Sequence, residues 1–267
     1  MKKRLDALLV ERGLASDTAQ AQALIMAGRV YAAGQKADKA GEDYKQDTPI
    51  EVRGGTLRYV SRGGLKLEKA LAVFPLDLKN TVCCDFGAST GGFTDCMLQN
   101  GAKKVFAFDV GYGQLAWSLR QDERVINRER TNVRHLTPAE VGEPIDFISI
   151  DVSFISLARV LPAAHTLLRP GGAAVCLIKP QFEAGRDQVG KKGVVSDRGV
   201  HLAVIEKVMA SAQALEFNVK GLSFSPVKGP EGNIEYLLYL IRETPDGHTP
   251  DDAQKIVEDA HRALSAT

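Results

Sequence analysis

Asp85-Phe86-Gly87-Ala88-Ser89-Thr90-Gly91-Gly92-Phe93 joins a strand-like run, Val82 to Asp85, to a helical pattern, Thr94 to Asn100. Glycines between a strand and a helix permit a tight turn and close approach of a ligand to the backbone. The spacing is Gly-x-x-x-Gly-Gly, not the Gly-x-Gly-x-x-Gly of dinucleotide sites, and no Lys-Ser/Thr pair of a phosphate-binding loop accompanies it. About 20 residues further on, the second strand-like run ends in Asp109, whose carboxylate can accept both hydroxyl hydrogens of a ribose. A ligand with a ribose but no phosphate is implied, and S-adenosylmethionine is such a ligand. The residues expected to hold it are Asp85, Gly87, Ala88, Ser89, Thr90, Gly91, Gly92, Phe93, Asp109 and Asp151. Asn132, in the turn after the third run, is placed either to hydrogen-bond an adenine or to satisfy its own backbone.

Working outward, strand-like runs recur at Val82–Asp85, Val105–Asp109, Val125–Glu129, Ile145–Asp151, Ala173–Lys179, Asn218–Ser225 and Ile234–Ile241. Helical patterns at Thr94–Asn100, Gln114–Arg120, Ile155–Leu168 and Val200–Leu215 fall between most of them. This alternation predicts an α/β, Rossmann-like fold, a seven-stranded, mostly parallel sheet with helices on both faces; that it is the S-adenosylmethionine-dependent methyltransferase fold is what the resemblance given below implies. No helical pattern separates the last two runs, so the last strand is expected to be antiparallel. Asp251–Ala266 reads as a C-terminal amphipathic helix.

Towards the N-terminus the pattern changes. Leu5, Leu8 and Leu9 have helical spacing, Gly13 stops that helix, and Ser16 is placed to cap a second helix running to about Ala27. Short strand-like pieces, Arg29–Ala32 and Ile50–Val52, follow, and Gly54-Gly55 then breaks the chain. Arg4-Leu5-Asp6, Leu9-Val10, Gly13-Leu14-Ala15, Ala21-Gln22, Leu24-Ile25, Gly28-Arg29-Val30, Gly34 and Lys39 together resemble the ribosomal-protein S-four RNA-binding domain. One departure is that Asp17-Thr18 stands where such domains often carry Ser-Arg. The resemblance implies phosphate contacts from Arg4, Arg12, Arg29, Lys36 and Lys39, which otherwise read as solvated cations.

Composition narrows the class. Hydrophobic residues make up 44% and charged residues 25% of the 267, the balance of a globular protein with a sizeable core. A formal net charge of +1 restricts any nucleic-acid surface to a local patch. The longest apolar runs, such as Ala173–Ile178, fall far short of the roughly 20 residues a membrane span needs, and Met1-Lys2-Lys3-Arg4-Leu5-Asp6 lacks the apolar core of a signal peptide. A cytoplasmic protein without membrane insertion is expected. Cys83, Cys84, Cys96 and Cys176 form no Cys-x-x-Cys pair, so buried, reduced thiols and no metal are expected.

The catalytic expectation rests on four residues in separate elements. Lys66 opens the larger domain, Asp151 ends the fourth strand run, Lys179 ends the fifth, and Glu235 begins the last. Ligands of open α/β sheets bind beyond the carboxyl ends of the parallel strands, and an antiparallel last strand starts at that same edge. Two lysines and two acids can therefore meet in one cleft. Their Lys-Asp-Lys-Glu order is similar to the tetrad of FtsJ-type ribose 2′-O-methyltransferases. Ser61 to Leu67, Asp85 to Phe93, Asp151 to Phe154, Lys179 to Glu183 and Gly229 to Tyr236, taken with the N-terminal module, resemble the TlyA family, known both as hemolysin-like proteins and as rRNA 2′-O-methyltransferases.

That resemblance implies an RNA-binding domain at residues 1–53, a linker at 54–61 and a methyltransferase domain at 62–267. It also implies cytidine riboses of ribosomal RNA in ribosomal subunits as substrate. In this reading Lys179 accepts the hydroxyl proton or stays charged and stabilises the alkoxide, Asp151 holds it, and Lys66 and Glu235 orient the hydroxyl. An unperturbed lysine titrates near 10.4, so the four charges are a coupled set. Arg62 and the long loop 181–199, with Arg186, Lys191 and Lys192, complete the expected RNA face. Two other classes compete: a non-catalytic RNA-binding or ribosome-assembly factor with a vestigial pocket, and a membrane-active hemolysin. The intact tetrad and Asp109 count against the first. The absence of a wide apolar helix face beside a basic one counts against the second. None of these motifs encodes an oligomeric state.

Overall fold

A computed structural model of the chain describes residues 2–15, 17–26, 28–53, 58–229, 231–244, 246 and 252–265. Ser16, Ala27 and the Gly54-Gly55 pair, singled out above as cap, helix end and chain break, lie outside the described residues, as do the helix ends expected at Asp251 and Ala266.

The N-terminal elements are β1 (Lys2–Arg4), α1 (Leu5–Glu11), α2 (Thr18–Met26), β2 (Val30–Ala32), β3 (Gln35–Lys36), β4 (Asp43–Lys45) and β5 (Ile50–Val52). Leu5 and Leu9 of α1, and Ala21, Leu24 and Ile25 of α2, turn one face inward and bury it with Val30, Ala32 and Ala37. That cluster is a small core of its own, capped by the antiparallel β3-β2-β5 sheet and the β1-β4 ribbon.

The remaining elements are α3 (Gly63–Val73), β6 (Val82–Phe86), α4 (Gly92–Gln99), β7 (Lys104–Phe108), α5 (Trp117–Arg120), β8 (Val125–Arg128), α6 (Pro138–Val141), β9 (Ile145–Ile150), α7 (Leu161–Leu167), β10 (Leu168–Ile178), α8 (Pro180–Glu183), α9 (Arg198–Gln213), β11 (Phe217–Phe224), β12 (Tyr236–Arg242) and α10 (Ala253–Leu264). Seven strands form one sheet in the order β11-β12-β10-β9-β6-β7-β8. Strands β10, β9, β6, β7 and β8 run parallel, while β12 inserts antiparallel between β10 and β11. Successive residues of one strand serve opposite faces. Cys83, Val105, Phe147 and Val175 pack with Leu67 and Ala70 of α3 and with Cys96 and Met97 of α4. Cys84, Phe106, Ile148 and Cys176 pack with α7, α9 and α10 through Leu161, Ala164, Val204, Ile205, Val257 and Ala260. Burial on both faces is why these strands read as continuous apolar runs.

Two helices are shorter than their sequence patterns. Helix α5 covers only the end of the expected Gln114–Arg120, because Ala116 is extended at ψ 140° and serves as its N-cap, with its N–H on the Thr90 carbonyl at 3.1 Å. The expected Ile155–Leu168 helix is split: Leu157–Arg159 is a 3₁₀ turn, and α7 starts only at Leu161, placing Pro162 in a first turn where its missing N–H costs nothing. The order of the strands reverses at β6, which opens a crevice over the carboxyl ends of β6, β7 and β9.

Candidate active site

Gly87, just past β6, has φ +87°, and a Cβ there would lie 2.5 Å from the backbone oxygen of Asp151 at the end of β9. The two strand ends approach so closely that only glycine fits. Gly91 (φ +96°) turns the chain into α4. Between them the Ser89 N–H donates to Oδ2 of Asp109 at 2.8 Å, and the Gly111 N–H donates to Oδ1 at 2.6 Å. Each Asp109 oxygen keeps acceptor capacity beyond its one backbone donor. The cleft beside it has a volume of about 550 Å³ and is lined by Gly87, Ser89, Asp109, Asn132 and Asp151, with Val133 and Ile155 among its apolar walls. A carboxylate for a diol beside an apolar slot for a flat base fits the adenosine half of S-adenosylmethionine.

Not every residue expected at this cleft faces it. Asp85 is wholly buried below it and accepts bonds from Thr94 Oγ1 (2.7 Å) and Ser149 Oγ (2.9 Å). Ala88 and Phe93 are core residues of the α3–α4 face, Gly92 packs against Ser61 and Gly64, and Thr90 borders an adjoining groove. Asn132 lines the cleft, and its Oδ1 accepts the Arg134 N–H at 3.2 Å to cap the following 3₁₀ turn.

The two lysines and two acids come together at the same sheet edge. Lys66 Nζ lies 2.6 Å from Glu235 Oε2 and 3.8 Å from Asp151 Oδ2. Lys179 Nζ lies 2.5 Å from Asp151 Oδ1, an ion pair outside hydrogen-bond angles, and donates to Ser153 Oγ at 3.0 Å. Asp151 is thus shared between two ammonium groups, while Glu235, 1% exposed, is paired with Lys66. Burial pulls the Lys66 pKa down, but the facing Asp151 and Glu235 carboxylates outweigh it and leave the net direction upward. Burial pushes Asp151 up, yet Lys66 and Lys179 hold it below the ordinary carboxylate value. Glu235 stands above that value, raised first by burial and only partly relieved by Lys66.

Three residues outside the expected set belong to this neighbourhood. Ser153 supports Lys179. Phe154 is 91% exposed at the rim, holds φ +62°, and its ring lies 4.9 Å from that of Phe182. Buried Glu183 accepts from Ser156 Oγ (2.7 Å) and the Leu157 N–H (2.6 Å), tying α8 to the rim segment. All three sit within the motifs Asp151 to Phe154 and Lys179 to Glu183, which was the available signal.

Residues 59–242 match the FtsJ-like methyltransferase family. The chain belongs to that family. An S4 domain matches residues 3–48. The chain is 53% identical to the Bacillus subtilis protein YqxC over 98% of its own length and 95% of that protein. It is 46% identical to the 16S/23S rRNA (cytidine-2′-O)-methyltransferase TlyA of Mycobacterium tuberculosis over 99% of its length and 98% of that enzyme. A solved structure from Streptococcus thermophilus, 48% identical, superposes with a TM-score of 0.80 over 99% of this chain and 98% of the other.

S-adenosylmethionine is the cofactor of this FtsJ-like methyltransferase. The expected RNA cations differ in their surroundings. Arg12 donates to the Thr48 and Gln46 carbonyls at 2.8 and 2.5 Å, and Arg4 is bidentate on Asp6, so these two guanidinium groups brace the S4 module. Arg29 is half-buried. Lys39, Arg186, Lys191 and Lys192 are exposed. Lys36 and Arg62 line one groove with Lys66 and Lys228, so cations of the S4 module run on to the tetrad. Among the described residues no helix is long and apolar enough to cross a membrane, and no cluster of His, Cys, Asp or Glu is arranged to hold a metal. The four cysteines are buried and unpaired.

Proposed function

We propose that this FtsJ-like methyltransferase methylates the 2′-hydroxyl of a cytidine ribose in ribosomal RNA, acting on ribosomal subunits in the cytoplasm. The observation that carries this is the Lys66–Asp151–Lys179–Glu235 cluster, which meets the cleft beside Asp109 through Asp151. The name of the TlyA relative supplies the cytidine and the ribosome.

Bound in the cleft, S-adenosylmethionine supplies a methyl group on a sulfonium, open to in-line attack. Asp109 holds the ribose of the cofactor, and Asp151 holds Lys179 beside the reaction centre. Lys66, locked to Glu235, presents a second positive charge. Lys179 works at the substrate 2′-oxygen. Either it takes the hydroxyl proton as methyl transfer proceeds, or it stays charged and stabilises the developing alkoxide while the proton passes to water. Exposed Phe154 offers a stacking surface for an unpaired base, which a ribose drawn out of a helix would present. Residues 1–53 anchor the RNA, residues 54–61 link the two parts, and residues 62–267 carry out transfer.

The test is methyl transfer from radiolabelled S-adenosylmethionine to ribosomal subunits that lack their native modifications. Label should enter RNA, render one linkage resistant to alkali, and fall at least about 100-fold in Lys179→Ala, the scale of a missing proton-transfer or charge-stabilising group. Absence of label on every subunit and free rRNA, or full activity in Lys179→Ala, overturns the proposal.

A further inference from the structure

The loop after Lys179 leaves the sheet at one tetrad residue and is pinned back beside another. Within it the Gly190 N–H bonds the Val194 carbonyl at 3.0 Å and the Gly193 N–H bonds the Gly190 carbonyl at 2.8 Å, closing a tight turn with Lys191 and Lys192 at its tip. The base of this turn is held by two wholly buried side chains, Asn233 and His201. Asn233 Oδ1 accepts the Val195 N–H at 3.0 Å, and its Nδ2 donates to the Gly193 carbonyl at 2.9 Å. His201 Nε2 lies 2.9 Å from the Val195 carbonyl, which can only accept, so Nε2 carries the proton. Nδ1 is then the acceptor for the Tyr236 hydroxyl at 2.7 Å, with His261 Nε2 3.1 Å away.

Asn233, Glu235 and Tyr236 share one short segment. Asn233 meets the loop, Glu235 meets Lys66, and Tyr236 meets the histidine that meets the loop again. Two residues of chain span at most about 7 Å, so the anchor of the basic turn and the tetrad are set by the same backbone. Both the oxygen and the nitrogen of this buried amide go to backbone at the base of the turn, buried Val195 and half-buried Gly193, and to nothing else among the described residues.

We propose that Asn233, backed by His201, is a positioning residue: it clamps the Gly190–Val194 turn in register with the tetrad so that Lys191 and Lys192 hold RNA phosphate while the ribose is methylated. This deepens the proposed function and rests on it. Asn233 acts only through the turn. Its removal weakens RNA affinity and leaves the chemical step and cofactor binding intact.

The clamp is read first without RNA, by the rate of tryptic cleavage after Lys191 and Lys192 in the full-length protein. Asn233→Ala, which removes both hydrogen bonds of the amide, should accelerate it at least roughly tenfold. Asn233→Asp keeps the acceptor for Val195 but turns a carboxylate oxygen on the Gly193 carbonyl, and should also accelerate cleavage. Unchanged cleavage in both variants, with thermal unfolding confirming the fold, overturns the clamp.

Methyl-transfer kinetics on ribosomal subunits read the RNA half. Asn233→Ala should raise KM for RNA by roughly tenfold with kcat within about twofold. The Lys191→Ala/Lys192→Ala variant should raise it similarly and flatten the log–log salt dependence by roughly 1.4 to 1.8, as for two phosphates no longer neutralised. Adding Asn233→Ala to the lysine variant should cost nothing further, since contacting groups acting as one unit are non-additive. Additive effects, a fall in kcat at constant KM, or wild-type KM in the lysine variant overturn it. Accelerated cleavage in a protein that methylates no RNA removes the RNA half and leaves the clamp, so the two failures are distinct.

Discussion

Asp85 carries a charge where the fold least favours one. Burial pushes its pKa up to about 6, and the hydrogen bonds from Thr94 and Ser149 only partly offset this. A carboxyl whose pKa is raised on folding favours the folded state while protonated. That contribution is complete below the unfolded value near 4 and is lost as pH climbs through about 6. Asp85→Asn, which cannot ionise, should therefore match or trail the wild type at pH 4 and gain on it up to pH 7, by at most about 3 kcal/mol given the roughly two pH units between those values. Thermal midpoints of both proteins at pH 4, 5, 6 and 7 check this, and a constant difference across the series refutes it. From the sequence, an acid at a strand end beside a glycine turn reads as a ligand contact, because the hydroxyls that enclose it come from 9 and 64 residues away. Periodicity placed Asp151, Lys179 and Glu235 at strand ends and Lys66 near a helix start; that the four form one set came from the resemblance of their order to the FtsJ-type tetrad. The roles of Asn233 and Glu183 were not legible, because their partners, loop backbone for Asn233 and the Ser156 hydroxyl and Leu157 N–H for Glu183, lie 26 to 40 residues away and leave no periodic trace.

At the scale of elements, the turn from β6 into α4 depends on what surrounds each glycine. Gly87→Ala places a methyl 2.5 Å from the Asp151 backbone oxygen at φ +87°, and neither strand end can yield as a side chain would. Strand β6 must part from β9, carrying Asp151 away from Lys179 and reshaping the cofactor cleft. Gly113→Ala also sits in the left-handed region, at φ +74°, but meets nothing within 4 Å. It should suffer only the backbone strain, about 1–2 kcal/mol. Calorimetric titration with S-adenosylmethionine should show affinity falling more than tenfold for the first variant and less than threefold for the second; equal falls would mean that left-handed strain, not the strand approach, governs the site. The strand positions were readable, since parallel strands buried on both faces leave apolar runs. Helix lengths were less so. Helix α5 is cut short at Ala116, whose N–H bonds Thr90, a partner outside any local window.

Across the whole molecule, the S4 module has its own core, so its removal should leave the sheet standing. What it contributes is a charged path: Lys36 lies in one groove with Arg62, Lys66 and Lys228, the last three from the catalytic part of the chain. The cleft over the ends of β6, β7 and β9, proposed above for the cofactor, is lined instead by residues 87 to 160. Deleting residues 1–53 should therefore raise the Kd for ribosomal RNA by more than tenfold, as expected when several phosphates are no longer neutralised, and change the Kd for S-adenosylmethionine by less than about twofold. The salt dependence of RNA binding should become shallower at the same time, by about 0.7 to 0.9 for each phosphate that the module had neutralised. Filter binding across a salt series and calorimetry on the same preparations measure all three. A parallel collapse of both affinities would mean that the module supports the cofactor cleft through α2, whose Ala23 and Met26 share a groove with Thr90 and Gln114, and that binding and chemistry are not divided between the two parts. An unchanged RNA affinity would place recognition wholly on Arg62 and the basic loop. Weakening confined to RNA, with its shallower salt slope, assigns the module the electrostatic share of recognition and leaves the tetrad to select the hydroxyl.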